Sequence, residues 1–171
     1  MSSFSDLVTY FENLARRHKS ILHTDQEKHF FRFEIEEVLA GINRTDTVYP
    51  LLVLEGYNFE YTDNKSDNIL KNRNIAFILL DVVHDITDAT EIHDVWNRME
   101  SIGDDILARL KADKRNPQTP VVRDFGFSTV RAIPIINEVG NNCGMRYTFS
   151  MSSPAPSDVD PEKWTDTDGS N

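Results

Sequence analysis

The sequence predicts an α+β fold: a mostly antiparallel four- to five-stranded sheet, one long amphipathic helix packed across it, and additional N-terminal helices. Three observations carry this. Residues 89–112 place Ile92, Val95, Trp96, Met99, Ile102, Ile106, Leu107 and Leu110 on one helical stripe. Residues 75–83, "IAFILLDVV", are apolar on both faces, as a central strand is. In "GMRYTFSMS", residues 144–152, Tyr147, Phe149 and Met151 alternate with Arg146, Thr148 and Ser150, which reads as a half-buried strand.

The remaining elements follow in chain order. Residues 3–22 read as a helix, because Phe4, Leu7, Val8, Phe11, Leu14 and Ala15 recur at three- and four-residue steps. Ser3 and Asp6 have capping spacing, and Arg16, Arg17, His18 and Lys19 suit the negative end of the helix dipole. Residues 31–43 read as a second helix, with Phe31, Ile35, Val38, Leu39 and Ile42 on one face and Glu34, Glu36 and Glu37 mostly on the other. From residue 48 the period changes: Leu51 to Leu54 is an apolar run, and Tyr57, Phe59 and Tyr61 then alternate with polar residues. This reads as strands interrupted by a bulge or turn at Gly56. Residues 62–74 read as a polar connector. Gly103 inside the long helix costs about 1 kcal/mol against alanine, and so marks a close approach or a bend. Pro134 in "VVRDFGFSTVRAIPII" predicts an edge strand or a break.

One domain, residues 1–153, is expected, followed by a tail. The tail, 154–171, carries Asp158, Asp160, Glu162, Asp166 and Asp168 against Lys163 alone and is expected to be disordered. With 171 residues, 39% hydrophobic and 27% charged, the composition is that of a soluble globular protein with a real core. The net charge of −10 disfavours non-specific binding to nucleic acid or to an anionic membrane. No secretory signal is expected, and the longest apolar stretch is far short of the roughly 20 residues of a membrane span. Cys143 is the only cysteine, which excludes an intrachain disulfide and a cysteine zinc cluster within one chain.

The densest chemistry lies in "HDITDATEIHDVW", residues 84–96. Asp88 followed by Glu91 has capping-box spacing, and Asp85, Asp88, Glu91 and Asp94 suit the positive end of a helix dipole. A metal site from His84, Asp88 and His93 lacks the i, i+4 histidine spacing of a zinc helix. A capped helix start is therefore the preferred reading, with His93 on the surface. His18, His23 and His29 have no nucleophile placed near them. Cys143 reads as a small strand residue rather than a reactive thiol. The glycines form neither a P-loop nor a dinucleotide fingerprint, and "DFGF" at 124–127 lacks the other kinase motifs.

Taken in order, "FFRFEIEEVLAGI", "VYPLLVLEGYNFEYTDN", "IAFILLDVV", "IHDVWNRMESIGDDILARLKADK" and "NNCGMRYTFSMSSP" form one pattern across residues 29–154. It resembles the tail terminator and tail completion (neck) proteins of tailed bacteriophages. The resemblance implies a non-enzymatic virion protein, assembled in the host bacterial cytoplasm, that needs no cofactor or metal. Its subunits would form a homo-oligomeric ring, a hexamer, that ends tail-tube polymerisation and joins the tail to the head connector. Partners would be further copies, the tail tube and neck or connector proteins. Genome DNA would pass through without sequence-specific binding, and no membrane would be involved. Sheet edges and loops would meet between subunits. The interface candidates are Asn64, Lys65, Asp67, Lys71 and Arg73 in segment 62–74, and Lys114, Arg115, Arg123 and Asp124 in segment 113–127. The alternative is a small intracellular protein-binding or regulatory domain that holds a peptide at a sheet edge.

Overall fold

The computed structural model describes residues 3–32, 47–63, 65, 69–138, 140–155 and 159–165. It contains a mixed, mostly antiparallel sheet of six strands, more than the four to five expected, with two long helices packed on one face.

Helix α1 spans Phe4–Arg17. The Ser3 hydroxyl accepts the Asp6 N–H at 3.1 Å, and the Asp6 carboxylate accepts the Ser3 N–H at 2.7 Å, a complete capping box. Leu7, Val8, Tyr10, Phe11, Leu14 and Ala15 are its buried face. The helix ends at Arg17, not at residue 22. Beyond it the Ile21 and Leu22 N–H groups both turn back to the His18 carbonyl, and Leu22 adopts a φ of 55°. That turn still delivers Ile21 to the core, so the apolar spacing outlasts the helix.

Strand β1, Lys28–Arg32, takes Phe31 and Arg32 out of the helix expected over 31–43. The rest of that segment lies outside the described residues. β1 pairs in parallel with β2, Thr47–Leu54, setting Phe31 opposite Val53, a non-local partnership that helical spacing does not reveal. β3 spans Asn58–Thr62 and β4 spans Leu70–Val82. Residues 70–74, read as connector, are strand because they pair on both sides, with β3 and with β6. β2 and β3 lie along the same side of β4. Between them Glu55, Gly56 and Tyr57 oppose only Ile75 and Ala76, and the Glu55 N–H bonds the Ala76 carbonyl at 3.0 Å. The interruption at Gly56 is thus a bulge.

Helix α2, Ala89–Asp113, is followed by a short 3-10 turn at Pro120–Val122, then β5, Phe125–Asn137, and β6, Asn142–Pro154. The strand order is β1-β2-β4-β6-β5, with β3 beside β4. β4 is central, as its sequence predicts, and Ile75 to Leu80 are all buried. β5 is an edge, as Pro134 predicts. Between Gly126 and Arg131 it slips against β6. The Thr129 hydroxyl patches the gap, donating to the Gly126 carbonyl and accepting the Ser150 N–H. In the tail, Pro161–Lys163 form one 3-10 turn capped by Asp160. Residues 156–158 and 166–171 lie outside the described residues.

The main core joins α1 and α2 to Leu52, Leu54, Phe77, Leu79, Tyr147 and Phe149 on one sheet face. A smaller cluster on the other face holds Leu51, Val53, Ile78 and Leu80. Tyr147 stacks on Phe77 with ring centroids 4.8 Å apart, and its ring lies against Gly103 of α2. A Cβ on Gly103 would overlap the hydroxyl end of that ring. The glycine marks a close approach rather than a bend.

Gly103→Ala is accordingly expected to destabilise by about 1–3 kcal/mol through overpacking, outweighing the roughly 1 kcal/mol gained in helix propensity. Urea unfolding of the variant checks this. In a Tyr147→Leu background the penalty is expected to shrink.

Candidate functional site

The strand registers gather the interface candidates at one end of the sheet. Phe59 of β3 lies opposite Arg73 of β4, Arg73 opposite Met151 of β6, and Met151 opposite Phe125 of β5. Thr62 and Leu70, the paired ends of β3 and β4, lie at this end on one edge, and segment 114–124 enters it at the other. Lys65, Lys71, Arg73, Lys114, Arg115, Arg123 and Asp124 therefore share one end of the molecule. Asn64 and Asp67 lie outside the described residues.

Their individual roles differ. The Lys65 N–H bonds the Asp63 carboxylate at 2.7 Å, and Lys65 takes a φ of 62°. The Lys71 ammonium stands 3.7 Å from the centre of the Phe59 ring, a cation–π contact. Arg73 is only 5% exposed, and its guanidinium reaches the Ser153 hydroxyl and the Tyr57 ring. It supports the sheet from inside. Lys114 donates to the Phe125 carbonyl at 2.7 Å, tying the end of α2 to β5. Arg123 pairs with the adjacent Asp124 at 3.4 Å, and Arg115 is exposed.

The sequence pattern does not mark the flanking aromatic residues as surface. Phe59 and Tyr61 are exposed on β3 with ring centroids 5.8 Å apart, and Phe127 is exposed on β5 under the Lys111 ammonium. Alternation marks β3 as a strand. It does not show that the helix layer stops short of its side chains. Among the described residues β3 pairs only with β4, and β5 only with β6, so each presents an open backbone edge.

The 84–96 stretch is a helix start. The Asp88 carboxylate accepts the Thr90 and Glu91 N–H groups. Glu91 reaches further back than a capping box does. It accepts the His84 N–H at 2.9 Å, the Asp85 N–H at 3.0 Å and the His84 ring nitrogen at 2.8 Å. His93 is exposed beside Trp96. Among the described residues no three His, Cys, Asp or Glu side chains are grouped to hold a metal ion. Cys143 is fully buried, and burial pushes its thiol up to about 11, which disfavours the reactive thiolate.

Two further polar groups organise the domain. Arg146 makes a bidentate pair with buried Glu55 at 2.7 and 2.8 Å, beside the bulge. The Tyr10 hydroxyl donates to Asp113 at 2.9 Å, and Arg109 donates to the same carboxylate oxygen at 2.8 Å. Burial, then this bond to Asp113, raises the Tyr10 pKa. These groups line a cavity of about 340 Å³ between α1 and α2, with Leu14, Arg17 and Ile106. His23 is buried, and its Nδ1 accepts the His29 N–H at 3.1 Å.

No family model matches the chain, and neither a curated protein nor a solved structure does. No helix among the described residues is long and apolar enough to cross a membrane. Fold and site together define a mixed-sheet domain in which, among the described residues, β1, β3 and β5 each pair on one side only.

Two pH dependences follow. Backbone N–H bonds from His84 and Asp85 hold the Glu91 carboxyl at about 2, against an ordinary value of 4.5. Its stabilisation is present above pH 4.5 and is lost as the pH falls towards 2. Urea midpoints for Glu91→Gln are expected to vary less with pH across that window than those of the parent. Burial, then the charge of Arg16, depresses the His23 pKa below 6.5. The unfolded chain therefore takes up the proton first, and stability is lost as the pH falls below 6.5. His23→Asn, which keeps an acceptor but does not titrate, is expected to flatten that part of the profile. Chemical denaturation between pH 7 and 5 reads the effect directly.

Proposed function

We propose that the chain is a structural protein that assembles with further copies into a closed ring, of the kind found at the tail end or neck of a tailed bacteriophage. In that role the ring ends tail-tube polymerisation and joins the tail to the head connector. Its partners are other copies, the tube and the connector proteins, and the role requires no catalytic residue or cofactor.

One observation supports this reading above others: the open edges of β3 and β5, on opposite sides of the sheet, are unlike. One carries Phe59 and Tyr61 on β3, and the other carries Phe127 and Ile133 on β5, all exposed. Unlike surfaces on opposite sides of one subunit join head to tail, and such contacts close into a ring when the rotation closes. Main-chain groups along an edge supply hydrogen bonds, and the exposed apolar side chains supply burial.

A second reading, a domain that captures a partner strand, draws support from β5. Pro134 and the slip at Gly126 blunt that edge, leaving β3 as the readier template for an added strand.

The mass of the purified protein in solution, with negative-stain images of the same sample, tests the two. Closed rings of several subunits are expected. A monomer at high concentration that binds an extended peptide along β3 would replace the ring with the second reading.

A further inference from the structure

We infer that the cavity between α1 and α2 binds a small amphiphilic carboxylate, its charged end on Arg17, its apolar body on Leu14 and Ile106, and a distal hydroxyl at Thr119. Such a site is complete within one chain and does not depend on assembly into a ring.

Two contacts between the helices frame the cavity. The Tyr10 hydroxyl of α1 donates to Asp113 of α2 at 2.9 Å, and the ring of His18, which caps α1, faces Asp105 at 3.4 Å. Positions rise along one helix as they fall along the other, so the two run antiparallel. The contacts therefore stand about 12 Å apart along the helices. The slot lined by both pairs has a volume of about 340 Å³, within the range of about 300–1,000 Å³ common to small-molecule sites. Leu14 and Ile106, both buried, give it an apolar wall.

The polar groups of the lining fall into two sets. One set is engaged within the protein. Asp113 holds Tyr10 and Arg109, the Asn13 amide donates to the Thr9 carbonyl, and His18 Nδ1 accepts the Ser20 N–H, which leaves Nε2 for Asp105. The other set is not. The exposed Arg17 guanidinium has no ion pair or hydrogen bond among the described residues. The Thr119 Oγ1 is buried and has no hydrogen-bond partner. A buried hydroxyl left unpaired is costly, so it marks a place where a partner is missing. An arginine fork matches a carboxylate, and in a chain of net charge −10 an unpaired one selects an anion. Asp105 and Asp113 on the same lining disfavour a dianion such as phosphate. A monocarboxylate with an apolar body and a far hydroxyl meets every group that is left. Touching both helices, it would fasten α1 to α2.

Backbone-amide NMR titration of the full-length protein tests this with three probes: 4-hydroxyphenylacetate, phenylacetate and 2-phenylethylamine. The hydroxylated acid is expected to saturate below about 10 mM and to shift amides of residues 10–18 and 105–119. Phenylacetate is expected to bind several-fold more weakly, and the amine not at all. Arg17→Gln, a surface change, is expected to weaken both acids on the order of tenfold. Thr119→Val, close to isosteric, is expected to erase the advantage of the hydroxyl while leaving phenylacetate unchanged. No saturable shifts at these residues, or shifts confined to other parts of the chain, overturn the site. Equal binding of the amine overturns the role of Arg17. A hydroxyl preference that survives in Thr119→Val overturns the orientation.

Discussion

Thirteen residues of β4 lie against thirteen of β6 without a register shift, from Leu70 opposite Pro154 to Val82 opposite Asn142. Much else is placed by that pairing. It sets Phe77 beside Tyr147, and their stack is worth about 0.5–1.5 kcal/mol beyond the area buried. It brings Gly144 so close to the Leu79 carbonyl that no side chain fits there. β2, β3 and β5 then attach to the outer sides of this pair, which sets the open edges of β3 and β5 on opposite sides of the sheet.

Buried polar groups pin the elements that burial alone would leave free to slide. Glu55 is held at the bulge by two bonds to Arg146, a bond that joins β6 to the junction of β2 and β3. Asp113 joins the end of α2 to Tyr10 of α1. Each is charge-assisted and directional, so it specifies position as well as contributing energy. Glu91 does the same on the surface, fastening the loop after β4 to the first turn of α2.

Legibility in the sequence followed the range of the interactions. The stripe from Ile92 to Leu110 is local, and the helix it marks agrees with α2 to within a residue. The alternation of Tyr147, Phe149 and Met151 likewise marks the buried face of β6. Where a partner far along the chain decides, the pattern misleads. Phe31 fits a helical face but lies in β1 because β2 runs beside it. Lys71, Asn72, Arg73 and Asn74 have the polarity of a loop, yet they form a strand whose ladder is completed from both sides. The site divides in the same way. The cations at the sheet end are legible as charges in two connections. That Lys71 rests on Phe59, and that Arg73 turns inward, depends on register.

The β4–β6 pairing also bears on how the chain reaches this state. Its partners are separated in sequence by all of α2 and β5, so a large loop must close before the first β4–β6 hydrogen bond forms. Such contacts raise the contact order and slow folding. α2, capped at Asp88 and amphipathic along its length, can form from local interactions well before the sheet does. Until β6 arrives, "IAFILLDVV" can pair with β2 on one side only and keeps an open apolar edge on the other, the kind of segment that drives aggregation in folding intermediates. The arrival of β6 is therefore the step of folding most exposed to competition from aggregation.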